Sequence, residues 1–105
     1  MITKLKNYKI CKGAFKYIGL MFKFKIENNL IFEFKKEDIY PVHMFFVFFP
    51  IDVVYLNKDK VVIEIKENLK PFSYYKPKNK ARYIIELEKN FIKKNKIKIT
   101  DKIQF

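Results

Sequence analysis

The feature that most constrains this chain is the run from His43 to Leu56, H-M-F-F-V-F-F-P-I-D-V-V-Y-L, which is almost wholly apolar. Its odd and its even positions are both apolar, so a strand built from it needs cover on both faces. Pro50 cannot donate to a sheet ladder and predicts a bulge or bend. We expect two central strands, roughly Val42–Phe48 and Ile51–Leu56, broken or bent at Pro50.

The segments around this run alternate apolar and polar residues with a period of two. The alternating segments are Leu30–Lys35, Val61–Lys66, Arg82–Leu87 and Lys102–Phe105. Such a pattern is typical of strands with one face on a core and one in water. Asn57–Lys60, N-K-D-K, predicts the turn of a hairpin that leads into Val61–Lys66. Asn68–Lys80 contains two prolines and little pattern, which favours a loop.

Helix is sparse in this sequence. Glu88–Lys96 predicts one late helix, with an acidic start and a lysine-rich end that suit the helix dipole. Gly13 and Gly19 bracket A-F-K-Y-I and predict a short helical turn near the N-terminus. Because 105 residues give room for one core, we predict a single domain over residues 1–105. Its fold class is mainly β (α+β), a small antiparallel barrel or sandwich with these two helical additions.

Composition bounds the class of protein. No stretch reaches the roughly 18 to 20 apolar residues of a membrane span, and the N-terminus lacks the apolar block of a secretory signal. We therefore expect a cytoplasmic monomer with no membrane partner. Cys11 is the only cysteine, which excludes an internal disulfide.

The formal net charge of +12 suggests nucleic-acid binding. However, of the 23 basic residues only Arg82 is an arginine, whereas base and phosphate readers usually recruit the arginine fork. Lys, Ile, Asn, Phe and Tyr share A/T-rich codons and are all plentiful, so codon bias accounts for the lysines. We favour a solvated surface that binds nucleic acid or other polyanions weakly at low salt.

Several motifs together resemble the uncharacterised family catalogued as domain of unknown function 192, found in bacteria and archaea. They are G-L-M-F-K at 19–23, L-I-F-E-F at 30–34, M-x-x-x-x-x-P-I-D-V-V-Y-L at 44–56, K-P-F at 70–72, A-R-Y-I-I-E-L-E at 81–88 and T-D-K-I-Q-F at 100–105. Many members have Trp-Met-Lys-Asn-Thr where this chain has His43–Val47, and the aromatic variant looks like the archaeal form. The resemblance implies a compact, mainly β domain with a small helical addition and implies no substrate.

Asp52 is the sharpest candidate for a polar site, because an isolated carboxylate in an apolar run must be paired, hydrogen-bonded or protonated. A structural Asp at the Pro50 bend is favoured over a general base or ligand contact. We hypothesise that Asp52 pairs with Arg82, since a two-pronged arginine pair suits a buried carboxylate.

His43, the only histidine, is expected to be a packed residue rather than a ligand. No metal site is expected, because Cys11 is the only thiol and no His-x-His or Cys-x-x-Cys occurs. A Cys11–His43 nucleophile pair requires that the fold join the two residues. No cofactor motif is present, and we expect no cofactor and no catalytic residue.

An aromatic and basic segment is the candidate nucleic-acid contact, comprising Tyr74, Tyr75, Lys76, Lys78 and Lys80. Tyrosines among cations suit single-stranded nucleic acid or an anionic ligand, while aromatics folded onto the sheet are the favoured alternative. We expect a non-enzymatic binding or interaction module. The alternatives are a weak oligonucleotide- or RNA-binding protein and an enzyme or binder for a small anionic ligand around Asp52, with Arg82 and His43 as further contacts.

Overall fold

The computed structural model describes residues 1–11 and 28–105, which form nine strands and one helix. The strands are Ile2–Lys4 (β1), Tyr8–Cys11 (β2), Asn29–Asp38 (β3), Val42–His43 (β4), Ile51–Leu56 (β5), Val62–Leu69 (β6), Tyr74–Tyr75 (β7), Ala81–Glu88 (β8) and Lys102–Gln104 (β9), and the helix is Phe91–Asn95 (α1). The helical turn predicted between Gly13 and Gly19, and the motif at 19–23, lie outside the described residues.

A five-stranded sheet in the order β2-β3-β8-β5-β6 forms the centre of the fold. It is antiparallel except for the β2–β3 pair, which is parallel. Every residue of β5, Ile51–Leu56, is buried, because β5 lies between two strands and both sheet faces are covered. The parity argument for this half of the apolar run is therefore confirmed.

Two apolar clusters lie on opposite faces of this sheet. The front face carries Phe32, Val53, Tyr55 and Ile84, and is covered by Val42, Met44 and Val47 beside the antiparallel β4–β7 pair. The back face carries Ile31, Val54, Ile85 and Leu87, and is covered by Leu5, which follows β1, by Ile103 of β9 and by Ile92 of α1. The described strands do not close into a barrel, so the mainly β prediction is confirmed in its sandwich form.

The prediction that β3 and β8 expose one face to water is wrong at the centre of the sheet. Ile84, Ile85, Glu86 and Leu87 are all buried, because β8 pairs with β3 on one side and β5 on the other. The alternating pattern in β8 therefore does not mark a solvent-exposed face of the sheet.

The prediction of a central strand over Val42–Phe48 is also wrong. Only Val42 and His43 are in a strand, and a turn follows. The backbone of Phe46 is left-handed, with φ 56°, which a continuous strand cannot contain. This turn points inward with Met44 and Val47 and outward with its phenylalanines.

The hairpin turn between β5 and β6 forms as predicted. The Asn57 Oδ1 accepts hydrogen bonds from the backbone N–H groups of Asp59 (2.9 Å) and Val61 (3.1 Å). An asparagine side chain that bonds to the backbone two residues ahead stabilises such turns.

Asn57→Ala is expected to lower the free energy of unfolding by about 1 kcal/mol, because the turn loses both hydrogen bonds while its backbone groups stay near water. Urea unfolding of this variant beside Asn57→Asp, which keeps the acceptor, measures the effect. Equal unfolding midpoints for the two variants would contradict the assigned role of the Asn57 oxygen.

The late helix is present but shorter than the predicted Glu88–Lys96. Asn90 and Lys96, with φ 71° and 53°, are left-handed and flank α1, so the helical backbone cannot extend past either residue. Ile92 is its buried residue and anchors it to the back face of the sheet. Among the described residues, no helix is long and apolar enough to cross a membrane.

Candidate functional site

Asp52 is fully buried on the back face of the sheet and is bonded to the backbone. Its Oδ1 accepts from the N–H of Asn68 at 2.9 Å, and its Oδ2 accepts from the N–H of Ile92 at 3.0 Å. One carboxylate therefore joins the end of β6 and the first turn of α1 to the central strand β5. These hydrogen bonds are those expected of the structural Asp52 that the sequence favours.

Arg82 does not lie beside Asp52. Asp52 is opposite Leu87 on β8, and Arg82 is five positions farther along that strand, about 17 Å away. Residues of β8 alternate between faces, so Arg82 also points to the front face. Its Nε donates to the carbonyl oxygen of Phe34. The structure thus does not bring the hypothesised Asp52–Arg82 pair together.

His43 is exposed on β4 rather than packed in the core, so this expectation is wrong. It stands opposite Tyr74 in the β4–β7 pair, and its ring lies 5.5 Å from the ring of Phe45. Cys11 is buried on the front face of the sheet. His43 therefore belongs to an exposed group of rings, whereas Cys11 lies in the core.

Five exposed aromatic side chains form the most conspicuous surface of the described residues. We call them the aromatic surface; they are Phe45, Phe46, Phe48, Phe72 and Tyr74, each between 45% and 60% exposed. Phe72 packs edge-on against Phe46 (6.1 Å between centroids) and Phe48 (5.5 Å). Exposed apolar patches of this kind commonly mark contact surfaces.

Two turns hold the aromatic surface in place. The N–H of Met44 donates to the Ser73 carbonyl at 2.7 Å, and the N–H of Phe72 donates to the Met44 carbonyl at 2.8 Å. Phe46 and Phe72 both have left-handed backbones, with φ 56° and 58°. Bulky residues in this conformation are outliers that cost on the order of 1–3 kcal/mol each. The fold therefore accepts local strain while it directs these rings to solvent.

Exposed lysines border the aromatic surface along its second turn. From residue 70 to residue 78 the exposed positions are every second residue, Lys70, Phe72, Tyr74, Lys76 and Lys78. Lys80 is exposed as well, and we call Lys76, Lys78 and Lys80 the basic loop. Cations and rings thus alternate along one exposed stretch, as the sequence suggested for part of it.

Glu64 fixes the basic loop against the sheet. Its carboxylate accepts hydrogen bonds from the Tyr75 hydroxyl, from the backbone N–H groups of Lys78 and Asn79, and from the Asn79 side chain. Burial alone would raise the pKa of Glu64, but these hydrogen bonds together hold it below its ordinary value. Burial, and then the hydrogen bond to Glu64, raises the pKa of Tyr75 to about 12.

Tyr75 is therefore a structural partner of Glu64, while Tyr74 is the exposed member of the predicted tyrosine pair. The sequence indicated neither the Glu64 network nor the role of the phenylalanines at residues 45–48. Alternation in V-I-E-I-K predicts a solvated Glu64, and nothing nearby in sequence shows that residues 75–79 fold over it. Nor does the apolar sequence of residues 43–56 indicate which of its rings are exposed and which are buried.

Glu86 and Tyr55 form a second polar feature, buried under the front face. Glu86 is 9% exposed, and burial raises its pKa to about 7. Tyr55 is fully buried, and its hydroxyl has no hydrogen-bond partner among the described residues. Burial foremost, then the nearby Tyr75, Glu64 and Glu86, raises the pKa of Tyr55.

A groove of about 670 Å³ lies away from the aromatic surface, beside β1 and α1. Lys4, Lys6, Asn29, Glu88 and Phe91 are among its lining residues, and Asp52 is not. The groove thus has both signs of charge and no contact with the candidate residues of the sequence.

Comparison with known proteins places these features in a family. DUF192, described as Uncharacterized ACR, matches residues 12–105. A UPF0127 protein of Pyrococcus furiosus is 34% identical over 92 residues, covering 86% of this chain and 78% of that protein. A UPF0127 protein of Thermococcus sibiricus is 33% identical over 100 residues, covering 92% of this chain and 64% of that protein.

A solved structure shows the same fold. The crystal structure of a protein of unknown function from Novosphingobium aromaticivorans matches with a TM-score of 0.81 at 20% identity, covering 89% of this chain and 70% of that one. This chain spans less than two thirds of the Thermococcus relative. The family match and the archaeal relatives confirm the resemblance read from the motifs, and the chain belongs to the DUF192 family of uncharacterised proteins.

Proposed function

We propose that this protein is a non-enzymatic binding module that holds a polyanionic partner against its aromatic surface and basic loop. The observation that carries the proposal is the adjacency of strongly exposed rings and exposed lysines on one stretch of chain. The two polar candidates of the sequence support the proposal indirectly, because Asp52 and Arg82 are each hydrogen-bonded to backbone groups.

The basic loop supports binding because its conformation is set before any partner arrives. Glu64 fixes the backbone at Lys78 and Asn79, so the lysine side chains project from a positioned loop. Preorganisation of this kind lowers the ordering cost of binding. The formal charge of +12 attracts polyanions to the whole protein. The aromatic surface then determines where on the protein they bind.

The test compares two triple substitutions that remove equal charge. One is Lys76→Gln, Lys78→Gln and Lys80→Gln in the basic loop, and its matched control is Lys89→Gln, Lys93→Gln and Lys94→Gln at α1, across the sheet. Fluorescence anisotropy with labelled oligo(U) is measured over a salt series. We expect the basic-loop variant to lower the slope of log K against log salt by about 2, from three lost phosphate contacts.

The helix variant should change that slope by much less. Equal slopes and equal affinities in the two variants would overturn the proposal, because binding would then follow total charge alone. Thermal unfolding of both variants shows that neither result comes from loss of the fold.

A further inference from the structure

We infer that the polyanion is single-stranded nucleic acid, whose bases stack on the aromatic surface while its phosphates contact the basic loop; this inference rests on the proposed function. Single-strand binders combine a positive track for the backbone with aromatic side chains for the bases. The alternation of exposed rings and lysines from residue 70 to residue 78 has that composition.

The exposure of the rings is the first support. Phe45 and Tyr74 are the most exposed members of the aromatic surface, at 59% and 60%. His43 lies opposite Tyr74, and its ring centroid is 5.5 Å from that of Phe45, which adds another exposed planar group beside them. Exposed planar rings suit planar bases, because every base has a face that can stack.

The backbone under the aromatic surface is the second support. A peptide partner commonly adds as a strand to free N–H and C=O groups at a sheet edge. Here the N–H groups of Met44, Val47, Phe72 and Ser73 all donate within and between the two turns. These four N–H groups are therefore already paired within the protein, which favours a partner that contacts the exposed side chains.

The type of cation determines the expected specificity. Lysine binds phosphate as a point charge, whereas arginine provides the fork that reads guanine edges and grips carboxylates. The single arginine, Arg82, donates to the carbonyl of Phe34, so the cations at the aromatic surface are lysines. We therefore expect binding without sequence preference, and weaker binding to a duplex, whose bases cannot stack on protein rings.

The experiment substitutes the two most exposed rings and varies the probe. Phe45→Ala with Tyr74→Ala removes two planar faces, and Phe45→Leu with Tyr74→Leu keeps apolar bulk without them. The probes are oligo(U), an abasic oligonucleotide of equal length and a duplex of equal length. We expect both double variants to bind oligo(U) about 10-fold or more weakly than the wild type at about 0.15 M salt.

The abasic probe separates stacking from charge. Wild type and both double variants should bind it equally, because it offers phosphates without bases. If the leucine variant retains oligo(U) binding, or if the wild type binds the abasic strand or the duplex as tightly as oligo(U), base stacking is refuted. The slope difference between the two lysine triples would survive that result, so the proposed function and this inference fail separately.

Discussion

Asp52→Ala is expected to lower the free energy of unfolding by about 3 kcal/mol. The substitution removes the acceptor of a buried N–H at Ile92 and of a partly buried N–H at Asn68, and an orphaned buried donor costs about 1–3 kcal/mol. It also removes the hydrogen bond that joins α1 to strand β5. Urea denaturation, monitored by tyrosine fluorescence and by circular dichroism, measures the change.

Two variants control this prediction. Asp59→Ala changes the same residue type at an exposed turn position and should stay within about 0.5 kcal/mol of the wild type. Asp52→Asn keeps one acceptor oxygen and should fall between the wild type and Asp52→Ala. If Asp52→Asn were as stable as the wild type yet lost binding to oligo(U), Asp52 would be a functional residue and its structural assignment would be wrong.

Glu86→Gln is expected to stabilise the protein at alkaline pH and to remove a pH dependence. Burial raises the pKa of Glu86 from the ordinary 4.5 to about 7, so the folded state keeps a proton that the unfolded state releases. Stability from this group is therefore full below about pH 4.5, falls as the pH rises toward 7, and stays reduced above it, by about 3 kcal/mol in total.

Other charged and titratable groups share the front face with Glu86. In the sheet register Glu86 is aligned with Lys9 of β2 and with Lys66 of β6. Each lysine is two strands away from Glu86. Tyr55 is a titratable neighbour of Glu86 on this face, and Tyr75 and Glu64 in turn lie near Tyr55. The hydrogen-bonded Glu64 has the opposite pKa shift, so its contribution to stability is lost in acid, below the window assigned to Glu86.

Unfolding free energies at about pH 5 and about pH 8 for wild type, Glu86→Gln and the exposed-site control Glu67→Gln provide the measurement. Wild type and Glu67→Gln should both lose stability between the two pH values, and Glu86→Gln should not. A stability difference between Glu86→Gln and wild type that is the same at both pH values would show that Glu86 titrates normally.

The strands of the central sheet were predictable because period-two alternation marks a strand and two-row apolarity marks a strand that is covered on both faces. Parity together with Pro50 predicts strand β5, and turn chemistry predicts the hairpin at Asn57. The burial of Glu86 was not predictable, because alternation in A-R-Y-I-I-E-L-E describes a strand but not its neighbours. The sheet order places β8 at the centre, and that order depends on contacts distant in sequence.

The candidate site was predictable only in part, for a related reason. The sequence indicates Tyr74 and the lysines of residues 76–80, because they place an aromatic residue next to a series of cations. The apolar run predicts a buried strand for the phenylalanines of residues 45–48, because hydrophobicity indicates that exposing a side chain is unfavourable but not whether the fold exposes it. Hydrogen bonds between Met44 and the turn at Phe72 and Ser73 expose them, and that pairing has no local sequence signal.

The most direct test of base stacking on the aromatic surface is ultraviolet crosslinking of oligo(U) to the protein, with the crosslinked peptides identified by mass spectrometry. Direct contact between a base and a side chain is needed for a crosslink, so attraction by charge alone leaves no preferred position. We predict crosslinks concentrated at Phe45, Phe72 and Tyr74. Crosslinks spread over the lysine-rich surface, or concentrated at the groove beside β1 and α1, would contradict the account.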